Sequence, residues 1–100
     1  MGTLEGKDSG PRVTIRFLAP FRGRDNWSLE VPITPGEPLS SVFQRLEAGL
    51  CRELKEKVID PPHPPFGVNV NGKRVVKDQF EQVRLTGSEQ ISILALLVGG

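Results

Sequence analysis

Residues 90–98 read "QISILALLV", and this stretch is apolar on both faces. In a strand, alternate side chains point to opposite sides. Ile91, Ile93 and Ala95 therefore face one way, while Leu94 and Leu96 make the other face apolar too. A surface strand with one wet face would show polar residues at every second position. Apolar residues on both faces from Ile93 onward fit a strand in the interior of a sheet.

Working back from this strand, "TGSE" (86–89) reads as a turn, and "KDQFEQVRL" (77–85) carries Phe80, Val83 and Leu85 with one short irregular helical turn. In "FGVNVNGKRVV" (66–76), Phe66, Val68 and Val70 share a face, and Asn71-Gly72 is a strong hairpin signal because both positions of the favoured turn need positive φ. The run "DPPHPP" (60–65) ends whatever helix precedes it, since consecutive prolines lack the amide donors a helix requires.

Before the prolines the period changes. Leu39, Val42, Phe43, Leu46, Leu50, Leu54 and Val58 recur at three- and four-residue steps, predicting one helix of about five turns. Ser41 and Gln44 are spaced as a capping box. Gly49 costs such a helix about 1 kcal/mol against alanine, which a close approach to the sheet would explain. "TPGEP" (34–38) separates the helix from two opening strands, "VTIRFLA" (13–19) and "NWSLEVPI" (26–33). Val13, Ile15, Phe17 and Ala19 face inward on the first, and Trp27, Leu29 and Val31 on the second. The intervening "PFRGRD" (20–25) reads as their loop. Residues 1–11, rich in glycine and charge and without periodicity, read as a flexible leader.

The order is strand, strand, helix, strand, short strand, final strand. It predicts an α+β domain over residues 12–98 with the β-grasp (ubiquitin-like) arrangement: a mixed sheet crossed by one long helix, with the first and last strands parallel at its centre.

One hundred residues suit one domain. Thirteen lysines and arginines against 12 acidic residues, interspersed, give a net charge of +1, which argues against a nucleic-acid or membrane surface. "MGTLEGKDSGPR" has no apolar core of the kind a signal peptide needs. The lone Cys51 precludes an internal disulfide and fits a reducing compartment, with the cytoplasm as the expected location.

Chemistry-bearing clusters are absent from the sequence. His63, the single histidine, lies among prolines; Cys51 lies beside the apolar stripe; no metal-ligand spacing or phosphate-binding glycine loop occurs. The remaining feature is the ending, Gly99-Gly100. Two glycines alone are a weak motif. They have a physical use, however, because glycine lets a backbone thread a narrow cleft at any φ. Four extended residues after Leu96 span roughly 13 Å, enough to carry a carboxylate to a nucleotide phosphate inside another protein.

"VNVNGKRVVKDQFEQVRLTGSEQISILALLVGG" (68–100) resembles the ThiS/MoaD-type sulfur carrier proteins: a strand, an Asn-Gly turn, a short charged segment with an aromatic, a turn, an apolar strand and Gly-Gly. The similarity covers about residues 13–100. Two departures are "TGSEQ" (86–90), where the family often has Asp-Gly-Asp, and the proline-rich insert at 60–65. The resemblance implies that Gly100 is adenylated by a partner activating enzyme using ATP and then becomes a thiocarboxylate, with Gly99 as its threading neighbour. A sulfur donor and a sulfur-accepting biosynthetic enzyme complete the set of partners, as in thiamin or molybdopterin synthesis. The chain itself would be neither an enzyme nor a binder of cofactor or metal. Docking is expected on Leu18, Leu94, Leu96, Leu97 and Val98. Two alternatives stay open: a ubiquitin-like modifier conjugated through Gly100, and a β-grasp interaction module whose ending is incidental.

Overall fold

Strand β1 (Arg12–Phe17) buries Val13, Ile15 and Phe17 on one side, as its alternation predicts, and presents Thr14, Arg16 and the adjoining Leu18 on the other. It belongs to a computed structural model that describes residues 10–96. β2 (Trp27–Pro32) pairs antiparallel with β1, placing Ile15 opposite Leu29 and Phe17 opposite Trp27. The connecting loop contributes more than a turn. Arg22 and Gly23 take positive φ, 55° and 74°, which folds Phe21 back onto Arg24 and into the core, where it is fully buried. Phe21 sits 5.2 Å from both Phe17 and Phe66, its carbonyl accepts from Trp27 Nε1 at 3.1 Å, and Trp27 stacks on Phe17 at 4.4 Å.

The apolar stripe is one in sequence but not one helix in space. β3 (Glu37–Pro38) leads into α1 (Leu39–Gln44), the chain breaks at residues 45–47, and α2 (Ala48–Leu54) continues into a wider π turn, Lys55–Ile59. The expected single five-turn helix is therefore corrected to two short ones. The cause is local. Glu47 caps α2, its carboxylate accepting from Gly49 N at 3.1 Å and Leu50 N at 3.0 Å, which starts a new helix inside the stripe. These two amides also hold the Glu47 carboxyl below its ordinary range. Six stripe residues are buried all the same, and Leu46, at the break, packs partly against them.

Gly49 falls in the first turn of α2, and the space a side chain would fill is taken by Arg22, whose guanidinium lies 2.5–2.8 Å from that position. The close neighbour is thus a loop arginine rather than the sheet. The Ser41–Gln44 capping box is also absent. Pro38 stands at the cap with no side-chain hydrogen bond, and the first helical amides are met by backbone instead: Leu39 N donates to Val83 O and Ser40 N to Phe80 O.

Ser41 serves another group. Its hydroxyl donates to Glu37, whose carboxylate also accepts from Thr34 N and twice from Arg45, while Arg45 reaches on to Pro32 O at 2.6 Å. Arg45 above all, helped by Thr34 and Ser41 and opposed by burial, holds the Glu37 carboxyl at about 2 against an ordinary 4.5. The stability this contributes is complete above the unfolded value and is lost as pH falls through 4.5 toward about 2. Glu37→Gln is therefore expected to lower the neutral-pH stability by about 1–3 kcal/mol. It should also flatten the acid limb of a melting-temperature profile; an unchanged acid limb would remove Glu37 from this role.

Beyond the π turn come the prolines, then β4 (Phe66–Val70) and β5 (Lys73–Val75), joined by Asn71 and Gly72 with φ of 51° and 85°, the hairpin turn expected. A 3₁₀ turn (Lys77–Gln79) supplies the short helical piece, and β6 (Arg84–Leu85) pairs with β3 in a small ladder of its own. In the turn before β7, burial of the Glu89 carboxyl opposes its ionisation. Hydrogen bonds from Thr86 N, Thr86 Oγ1 and Gly87 N outweigh this and hold it below its ordinary range.

β7 (Gln90–Ala95) runs parallel to β1 and antiparallel to β4, giving the strand order β2-β1-β7-β4-β5. The architecture is α+β, a five-stranded mixed sheet with two short helices. Ile91 and Ile93 of β7 are fully buried among Ile15, Phe17, Leu39 and Leu54 in one core.

Candidate functional site

The far face of the sheet, away from the helices, gathers three of the five residues assigned to docking. Leu18 N donates to Ile93 O at 2.8 Å, which continues the parallel register and sets Leu18 beside Leu94. Leu18 is 43% exposed, whereas Leu94 and Leu96 are half-buried. Ala95, expected on the core face with Ile91 and Ile93, is exposed at the end of the strand. Leu97, Val98, Gly99 and Gly100 lie outside the described residues.

Leu96 packs over Gly67. Gly67 pairs with Leu94 in the adjacent strand, and a side chain on it would come within 2.9 Å of Leu96 Cδ2 and 3.2 Å of the Arg74 guanidinium. Leu96 and Arg74 therefore lie together over a backbone that only glycine leaves open. The backbone of Leu96 is fixed as well, its N–H donating to Pro65 O at 2.9 Å. Gly67 and Arg74 were not singled out by the sequence reading. An isolated glycine inside the strand pattern of "FGVNV" was the available signal, since such a residue marks close approach of another group.

Gly67→Val should push both Leu96 and Arg74 aside. The obstructing atoms are ends of movable side chains and not backbone, so an intermediate loss of about 1–3 kcal/mol is expected from thermal unfolding. A wild-type melting temperature would show that neither side chain lies over Gly67.

The remaining candidates stay apart. His63 is exposed in the proline segment, and Cys51 is half-buried on α2 with its Sγ 4.0 Å from Gln44 O. Neither has a partner arrangement for acid, base or nucleophilic work. Among the described residues no three histidines, cysteines or carboxylates gather as metal ligands, and no helix is long and apolar enough to cross a membrane. The geometry holds together an apolar and basic surface at the point where the chain leaves the sheet. Compared with known proteins, the chain matches no family model and no curated protein.

Proposed function

We propose that this chain is a sulfur carrier of the ThiS/MoaD type on a β-grasp fold, present in the cytoplasm. A partner enzyme adenylates its Gly100 carboxylate, and a sulfur donor converts the adenylate to a thiocarboxylate. The observation that supports this reading is the central parallel pairing of β1 with β7, which ends the described chain at Leu96 in the middle of the sheet, with Leu18 and Leu94 close by. A carrier needs that combination. Its reactive end must enter a cleft in another protein while a rigid apolar surface holds the domain outside, and four residues after Leu96 span roughly 13 Å.

Chemically, attack of the Gly100 carboxylate on the α-phosphate of ATP releases pyrophosphate and leaves an acyl adenylate. Attack of a donor persulfide on the adenylate releases AMP and leaves an acyl disulfide. A second thiol of the donor then attacks the donor's own sulfur in that S–S bond, forming a donor disulfide and releasing the thiocarboxylate, whose outer sulfur takes up the electron pair. The ATP belongs to the partner's site. This chain contributes the carboxylate, the glycines that admit it and the surface that docks.

Incubation with an adenylating enzyme, ATP and a sulfur donor is expected to add the mass difference of one sulfur replacing one oxygen, localised to Gly100 by fragmentation. Recovery of Gly100 joined to lysines of other proteins would instead establish the modifier. Absence of any adenylation would leave the interaction module.

A further inference from the structure

The proline segment 60–65 has no part in the chemistry above, yet it is joined to the chain at the point that matters. Pro65 O accepts from Leu96 N, and the segment lines a groove of about 1070 Å³ together with Arg74 and Val75 of β5 and the adjoining Val76. We propose that this groove is a second docking surface for the enzyme that activates Gly100, and that it takes an extended segment of that enzyme bearing an apolar side chain and a carboxylate. The inference rests on the sulfur-carrier reading and deepens it by assigning a partner surface.

Position comes first. Ala95 and Leu96 line the groove, so an enzyme gripping the few residues after Leu96 stands at its mouth, within roughly 13 Å. Part of the groove lining is apolar, contributed by Phe66 and by the largely buried Val68, Val75 and Phe80. On its rim Val76 is 48% exposed; it and Leu18 are the exposed large apolar side chains among the described residues.

Charge indicates what else the occupant carries. Arg74 is held over Gly67 beside Leu96, and among the described residues no carboxylate forms an ion pair with it. Lys77, also in the lining, donates to a neutral group, Ile59 O, and Asp78 is the acidic residue there. Two cations against one acid favour an anionic partner group, and a guanidinium receives a carboxylate through two parallel hydrogen bonds.

Backbone supplies the third element. β5 is the sheet edge, paired with β4 alone, and an edge strand is a template for an added extended segment. The prolines that line the groove have little conformational freedom to lose on binding.

The test is steady-state ATP–pyrophosphate exchange with the adenylating enzyme of the same organism that converts the wild-type chain. Arg74→Glu and Val76→Glu are each expected to raise the KM for the carrier about tenfold or more, with kcat within about twofold, because they weaken docking and leave Gly100 untouched. Lys55→Glu, an exposed cation outside this groove, should leave both constants unchanged. Melting curves of all three variants should overlay the wild type. Wild-type KM in both Arg74→Glu and Val76→Glu would overturn the groove as a docking surface while the carrier function stands. A wild-type chain that no adenylating enzyme converts would overturn both.

Discussion

The chain lacking Gly100 is expected to melt at the wild-type temperature and to form no thiocarboxylate. Among the described residues the core runs from Val13 to Ile93, and the single residue removed is a glycine, which has no side chain to pack. The chemistry is another matter. Removing one residue withdraws the carboxylate by roughly 3.4 Å, and reacting groups need placement far closer than that. Mass spectrometry after incubation with the adenylating enzyme, ATP and a sulfur donor reads the second half of the prediction; circular dichroism reads the first. Conversion of the shortened chain at the wild-type rate would end the carrier interpretation.

Ile93→Asp is expected to unfold the domain, whereas Leu18→Asp should cost about 0.5–1 kcal/mol or less. The residues are near neighbours on adjacent central strands, with Phe17 opposite Ile93 and Leu18 one position further on, but they point to opposite faces. Ile93 has no exposed surface and Leu18 is 43% exposed. An aspartate at 93 would be buried without a partner, a cost of at least about 3–5 kcal/mol, set against about 5–15 kcal/mol for the total stability of a small domain. Urea unfolding of the two variants measures the contrast. Similar losses in both would mean that the two faces of the sheet have been assigned wrongly.

Acid sensitivity and docking follow from features of different legibility. Glu37 and Arg45 are eight residues apart and meet only because β3 and α1 bring them together. Nothing in local sequence marks that pair, and a capping box drawn from the spacing of Ser41 and Gln44 pointed to the wrong role for Ser41. Gly67 was visible as an anomaly, but its meaning depends on which side chains cross it. Arg74 looked like one surface arginine among many until the strand pairing set it beside Leu96.

By itself the sequence determined the strand alternation of β1 and β2, the inward face of β7 as far as Ile93, the Asn71-Gly72 turn, the end of the helical region at the prolines, and the buried stripe of the helical region. Those properties depend on side-chain period and on local φ preferences, which act within a few residues. Only the tertiary structure decided why Gly49 is tolerated, that Phe21 enters the core from a loop, and that the 60–65 segment is tied to Leu96. Each of these is a contact between residues distant in the chain: Arg22 over Gly49, Phe21 against Phe66, Pro65 O with Leu96 N. Such contacts depend on how the elements pack, and the spacing of residues along one element carries no record of what will lie against it.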